Sequence, residues 1–163
     1  MHIDRLYMLD GIYNAEVMTD KPRNHYLYDE DQNGRFVVRS DDRSNDDIEA
    51  DYFLTHFTLQ MPKLKGKRIF LNGRWTGRSL NPDYELRYNE DTQAYEASVL
   101  LKQGYYSYQY LTAPNSTEKA NTNETEGNFF QTENEYTVLI YFHNQSERYD
   151  RLVGFSQVYS SIQ

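Results

Sequence analysis

The sequence contains no cysteine among its 163 residues, and this absence excludes disulfide bonds and thiolate chemistry. It also has no apolar run approaching the 18 or more residues of a membrane-spanning helix, so we predict no membrane span. Basic residues are few: 17 lysines and arginines face 25 acids, which gives a net charge of −8. The resulting negative field disfavours nonspecific binding to nucleic acid or to an anionic bilayer.

Patterns that carry catalytic or metal chemistry are also missing. The histidines His2, His25, His56 and His143 are scattered and form no ligand pattern such as HxH or HExxH. There is no Gly-x-Ser-x-Gly motif, and the glycines stand singly at turns, so no loop of glycines can cradle a phosphate. Sequence alone does not give the separation of a carboxylate pair. We therefore predict no enzyme activity, no metal and no cofactor.

The chain is rich in aromatic residues, with 16 tyrosines and eight phenylalanines. They are densest between Tyr84 and Tyr110, where the pattern predicts two strands joined by a turn at Gly104. Helical periodicity is nearly absent, and short alternating runs recur between turn signals. Six or seven strands over about 110 residues predict an all-β fold, an antiparallel sandwich of immunoglobulin-like architecture.

Two features organise the N-terminal part. Residues 5–18 are predicted to form one or two strands interrupted near Asp10-Gly11, and Asn33-Gly34 is a strong turn signal. The acidic segment 40–51 resembles a solvated linker. We therefore assign residues 1–45 to an N-terminal β extension and residues 46–163 to the sandwich.

Four strands of the sandwich are predicted from alternation and apolar content. Residues 52–59 alternate, and one face of this strand carries Phe53, Thr55, Phe57 and Leu59. Residues 68–71 form a short buried strand. Residues 135–142 are apolar on both faces, which is typical of a central strand, and residues 151–159 would close the sheet.

Aromatic side chains are the candidate binding residues. Trp75 follows a strand and is interpreted either as a platform on which a sugar ring stacks or as a lid over the end of the sandwich. Tyr106, Tyr108 and Tyr110 share one face of a strand, with Tyr105 on the other. Part of this ladder must be core, and any exposed part would suit a protein interface. The candidate platform or interface residues are Trp75, Tyr84, Tyr88, Tyr105 and Tyr106.

The aromatic layout resembles that of early-set sandwiches such as glycogen-binding modules. The resemblance lies in Arg68-Ile-Phe-Leu-Asn-Gly-Arg-Trp-Thr-Gly77 and in the tyrosine-rich segments that follow it up to Tyr110. It implies a glycan-binding module that uses Trp75, Tyr84 and Tyr88, and it predicts that these rings are exposed and coplanar.

A second resemblance covers most of the chain, in five blocks that occur in one order. The blocks are Tyr28-Asp-Glu-Asp-Gln-Asn-Gly-Arg-Phe-Val-Val-Arg39, Glu49-Ala-Asp-Tyr-Phe-Leu-Thr-His-Phe-Thr-Leu59, Leu100-Leu-Lys-Gln-Gly-Tyr-Tyr-Ser-Tyr-Gln-Tyr110, Glu126-Gly-Asn-Phe-Phe-Gln-Thr-Glu-Asn-Glu-Tyr-Thr-Val138 and Arg148-Tyr-Asp-Arg-Leu-Val-Gly154. They resemble the C-terminal part of a Bacteroidetes family, the plug protein of the type IX secretion system.

This second resemblance implies a periplasmic protein, associated with the outer membrane, that closes the resting channel of a large translocon barrel. The expected partner is that barrel, and the expected action is protein contact without an active site. Family members are longer, with an export signal and an N-terminal domain. The chain is therefore expected to be a fragment, monomeric, with residues 1–18 as the last strands of a preceding domain.

Overall fold

A computed structural model describes the protein over residues 1–26, 34–39, 50–77, 79–117 and 119–160. The predicted all-β fold is confirmed, since strands dominate and the described helices are two short 3-10 turns. The chain divides into two compact units, Met1–Asn128 and Phe129–Gln163, each of which is described by itself.

The described residues of the first unit form nine strands and both short helices, and those of the second form two strands. The strands of the first unit are β1 (Ile3–Leu9), β2 (Ile12–Val17), β3 (Phe36–Val38), β4 (Tyr52–Leu59), β5 (Lys67–Asn72), β6 (Glu85–Asn89), β7 (Ala94–Lys102), β8 (Gly104–Tyr106) and β9 (Gln109–Pro114). The 3-10 helices are Arg74–Thr76 and Pro82–Tyr84, and the strands of the second unit are β10 (Glu135–His143) and β11 (Asp150–Tyr159).

Seven strands of the first unit form one sheet in the order β1-β2-β4-β7-β6-β5-β9. The β2–β4 pair is parallel and the other pairs are antiparallel. Because β2 is hydrogen-bonded to β4, the N-terminal strands belong to the same sheet as the rest of the unit. The division predicted at residue 45 is therefore not the one found, which falls after Asn128. Residues 40–49 of the predicted linker lie outside the described residues.

The predicted break at Asp10-Gly11 is a two-residue hairpin loop between β1 and β2. Leu9 pairs with Ile12, and both loop residues have positive φ, 51° for Asp10 and 79° for Gly11. This is the backbone that a tight hairpin turn needs to match the twist of its strands, and Asp-Gly adopts it at low cost.

The alternation predicted in β4 is confirmed and defines the core. Thr55, Phe57 and Leu59 are buried, and across β7 the same face carries Tyr95, Val99 and Leu101. Each large aliphatic or aromatic side chain removed from water in this way stabilises the fold by about 1.5–3 kcal/mol. The main core cluster consists of Val17, Phe57, Leu59, Met61, Ile69, Leu71, Leu86, Tyr95, Val99, Leu101, Tyr106 and Tyr110.

The prediction of a turn at Gly104 joining two paired strands is wrong. β7 forms its hairpin with β6, whereas Gly104 begins β8, which pairs with β3, and β9 pairs with β5. Gly104 does not have a positive φ. It is needed for close approach, because a Cβ at this position would lie 2.2 Å from the carbonyl oxygen of Val37.

Replacing Gly104 with alanine is expected to lower the free energy of unfolding by about 1–3 kcal/mol, as overpacking does, because the β3 backbone would have to move away. Urea denaturation measures the change. Gly66→Ala is a poor control because its φ is 70°, so we use Asp51→Ala, which truncates an exposed side chain next to β4. Equal stability of Gly104→Ala and Asp51→Ala would contradict the close approach of β3 and β8.

In the second unit, β10 and β11 form an antiparallel hairpin in a two-stranded sheet of their own. The prediction that residues 135–142 form a central strand is wrong: β10 pairs with β11 and with no other described strand, and its side chains are exposed. For the same reason β11 does not close the larger sheet. An isolated two-stranded sheet is marginally stable in water.

Candidate interaction surface

Trp75 packs against the core of the first unit. Its ring lies 6.3 Å from that of Phe57 and 5.7 Å from that of Tyr106, and its Nε1 donates to the carbonyl oxygen of Ser107 at 3.2 Å. Gly73 leaves the space for this ring, since a Cβ there would lie 2.5 Å from Trp75 Nε1. The position matches the lid interpretation of Trp75 better than the platform interpretation.

Tyr84 and Tyr88 also pack against the core cluster. The Tyr84 ring stands at 90° to the Trp75 ring with centroids 5.4 Å apart, so the two rings do not present one flat face. Tyr88 lies edge-on to Tyr95 at 4.9 Å and donates its hydroxyl to Gln93 Oε1 at 3.1 Å. The coplanar arrangement predicted for a glycan platform is not found.

Tyr105 and Tyr106 lie on opposite faces of β8. Tyr106 is 4% exposed, stacks on Phe36 and donates its hydroxyl to the carbonyl oxygen of Lys102 at 2.8 Å. Tyr105 is 69% exposed and lies opposite Val37, which is also exposed. Of the five candidate residues, Tyr105 is thus the one whose ring is presented to solvent.

Within the described residues, the largest group of exposed apolar side chains lies on the β10–β11 hairpin. Leu139 and Tyr141 share one face of β10 and pair with Phe155 and Leu152 of β11, which face the same way because the register shifts between Ile140 and Tyr141. The other face carries apolar residues as well. The exposed members of both faces, here called the hairpin surface, are Tyr136, Val138, Leu139, Ile140, Tyr141, Phe142, Leu152, Val153, Phe155, Val158 and Tyr159.

A second exposed apolar group lies at the β1 edge of the large sheet. Leu6 and Met8 of β1 share their face with Tyr13 and Ala15 of β2, which are their neighbours in the hairpin register. Leu6, Met8 and Tyr13 are exposed, and Tyr13 stacks on Phe53 at 5.3 Å. This face continues the core face of the sheet towards its edge, where the described residues no longer cover it.

A partly buried polar cluster, which the sequence did not predict, lies beside the tyrosine ladder. Asp20 Oδ2 accepts hydrogen bonds from the hydroxyls of Tyr108 and Tyr110, both at 2.7 Å. Burial raises the pKa of both phenols far above the ordinary value, and the negative charge of Asp20 acts in the same direction. The two tyrosines lie about 90 positions from Asp20 in sequence, so local patterns give no sign of this contact.

Glu126 extends this cluster. Its Oε1 accepts from the backbone N–H of Tyr110 at 3.1 Å and its Oε2 lies 3.2 Å from Arg23 Nε, while Thr125 donates its hydroxyl to the carbonyl oxygen of Tyr110 at 2.6 Å. Desolvation raises the pKa of Glu126. The hydrogen bonds to Tyr110 tie Asp20, Thr125 and Glu126 to β9, so the cluster holds the segments around residues 20–23 and 122–127 against the sheet.

The described residues contain no group of three or more histidine, aspartate or glutamate side chains arranged to hold a metal ion. His56 instead lies between Ser98 Oγ at 2.8 Å and Asn14 Oδ1 at 2.9 Å, and His143 pairs with Asp150 at 2.7 Å. Both histidines thus have partners that explain their positions. A search of the described part of the chain for a helix long and apolar enough to cross a membrane finds none.

Comparison with known proteins finds a similar solved structure. No family model matches the chain, and no curated protein matches it. A solved structure of a hypothetical protein from Parabacteroides merdae ATCC 43184 is similar to it, with a TM-score of 0.87 and 41% sequence identity over 98% of this chain. The match covers 41% of that protein's length, so this chain spans well under half of it. The similarity supports the all-β fold.

Proposed function

We propose that the chain is a noncatalytic protein-interaction domain that acts through the hairpin surface. The observation that carries this proposal is the exposure of both faces of β10–β11. A two-stranded hairpin with two apolar faces gains little from its own contacts, whereas a partner that covers either face removes large apolar side chains from water. Aromatic residues are enriched in protein interfaces, and this surface carries five of them.

We propose further that the partner is the outer-membrane translocon barrel of the type IX secretion system, which the chain would help to occlude from the periplasmic side. This identity rests on the five sequence blocks, the last two of which include the start of β10 and the first half of β11. Such a plug needs a contact of modest affinity, because cargo must be able to displace it. A surface with a few aromatic anchors provides such a contact.

Changing Phe155 to threonine is expected to weaken capture of the translocon about tenfold, since Phe155 is 62% exposed at the middle of one apolar face and threonine keeps the strand propensity. The measurement is a titrated pull-down from outer-membrane extracts with the natural full-length protein as bait.

Phe130→Thr is the matched control, because Phe130 is 81% exposed in the same unit and lies outside both strands. Equal loss of capture in both variants would contradict the proposal that the hairpin surface binds the translocon. Recovery of no translocon component by the unchanged protein would contradict the proposed partner.

A further inference from the structure

A basic cleft lies where β5 and β6 separate. Their ladder consists of the pairs Ile69–Leu86 and Phe70–Glu85, and the next residues outward, Arg68 and Arg87, line a cleft of about 300 Å³. The other lining residues include Lys63 and Lys67. Four of the six residues from Lys63 to Arg68 are basic, a local concentration in a chain whose net charge is −8.

The two arginines occupy the positions just beyond the end of the β5–β6 ladder. Alternation puts Arg68 and Arg87 on the same face of neighbouring strands, since Phe70 lies opposite Glu85 and each arginine is two positions further along. Like charges at such neighbouring positions repel one another, and Glu96, which lies opposite Arg87 on β7, offsets this repulsion only on the far side of Arg87. An anion between the two guanidinium groups would reverse this repulsion.

Arg68 also has an unused donor. Its Nε is buried and has no hydrogen-bond partner among the described residues, while its guanidinium lies over the Phe70 ring at 5.2 Å. A buried donor without an acceptor costs about 1–3 kcal/mol. The two lysines differ in this respect, because Lys63 pairs with Glu90 and Lys67 with Glu124. No ion pair within the described residues engages Arg68 or Arg87.

We propose that this cleft binds the phosphate group of a soluble ligand, held between Arg68 and Arg87. Guanidinium groups present paired N–H donors that match the oxygens of phosphate, and a doubly charged anion satisfies both arginines at once. Lys63 and Lys67 also line the cleft. The negative charge of Glu85, another lining residue, disfavours the binding of an anion. The net charge of −8 disfavours approach to a bilayer surface of many anionic headgroups more than it disfavours a single phosphate, so a soluble phosphate is favoured over a lipid headgroup. This inference does not depend on the proposed function.

The test is an NMR titration of the natural protein with inorganic phosphate at low ionic strength. The expected result is a saturable shift of the amides of Lys67, Arg68 and Arg87. Arg87→Gln is expected to weaken binding about tenfold through the loss of charged hydrogen bonds. Glu85→Gln is expected to strengthen binding about threefold by removing the opposing charge.

Arg74→Gln makes the same change of charge at an exposed arginine outside the cleft and is expected to leave the affinity unchanged. Arg87 is exposed, so its loss does not threaten folding as the loss of Arg68 could. Shifts that do not saturate, or equal weakening in Arg87→Gln and Arg74→Gln, would overturn the proposal. Cosedimentation with phosphatidylglycerol vesicles in the absence of any response to free phosphate would overturn the preference for a soluble ligand.

Discussion

Replacing Trp75 with alanine is expected to lower the free energy of unfolding by about 3 kcal/mol, the lower end of the range for tryptophan and phenylalanine truncations in cores. The ring contacts Phe57, Tyr84 and Tyr106, and its Nε1 satisfies the carbonyl oxygen of Ser107. Truncation would open a cavity beside Phe57, which is fully buried, and would leave that oxygen without its donor. Guanidinium denaturation followed by far-UV circular dichroism measures the loss.

This variant separates the core interpretation of Trp75 from the glycan-platform interpretation. A stacking platform would lose glycan affinity on truncation while the stability of the fold stayed the same. Phe130→Ala serves as the control for aromatic truncation, because Phe130 is exposed and should change stability by less than about 0.5 kcal/mol. Unchanged stability of Trp75→Ala, with calorimetric binding to an α-glucan that is lost in the variant, would refute the core role.

The parts of the fold that could be predicted from the sequence are those set by local chemistry. Asp10-Gly11 predicted an interruption of the N-terminal strands, which is a hairpin loop with two positive φ angles, and the alternation of residues 52–59 predicted which side chains share a face. Both signals depend on residues that lie within one strand or turn. Both predictions are therefore independent of how the rest of the chain folds.

The parts of the fold that could not be predicted depend on which segment of the chain packs against or pairs with each strand. A glycine between two tyrosine-rich runs can mark a turn or a close approach of another backbone, and only the pairing of Gly104 with Val38 shows that it is the second. Residues 135–142 are apolar on both faces, but apolarity does not say whether another strand covers them.

The same limit applies to the candidate interaction residues. Tyrosine spacing separated Tyr105 from Tyr106, and the structure confirms that these two rings face opposite ways. The spacing could not show that Trp75 and Tyr84 stand perpendicular, because the Trp75 ring packs against Phe57 and Tyr106, which lie far from it in sequence. The cluster around Asp20 depends on contacts across about 90 residues and had no local signature.

That cluster leads to the prediction of a steep loss of stability at alkaline pH. A tyrosine in an unfolded chain ionises near pH 10. Burial raises the pKa of Tyr108 and Tyr110 in the folded protein well above this value, so the folded state keeps protons that the unfolded state releases. The stability that these phenols contribute is therefore complete below about pH 10 and decreases as the pH rises further. Each should lower the free energy of unfolding by up to about 1.4 kcal/mol per pH unit.

Urea denaturation at intervals from pH 8 to pH 11.5 tests this prediction in the double variant Tyr108→Phe/Tyr110→Phe. The variant should be less stable at pH 8, because Asp20 loses both hydroxyl donors, and it should show a much shallower decline above pH 10. Tyr105→Phe/Tyr149→Phe, which removes two exposed hydroxyls, should keep the slope of the unchanged chain. Comparing slopes rather than absolute stabilities separates proton linkage from the hydrogen bonds themselves, because losing a hydrogen bond shifts the whole curve. Equal slopes in the Tyr108/Tyr110 variant and the unchanged chain would mean that the two phenols are not held protonated by burial beside Asp20.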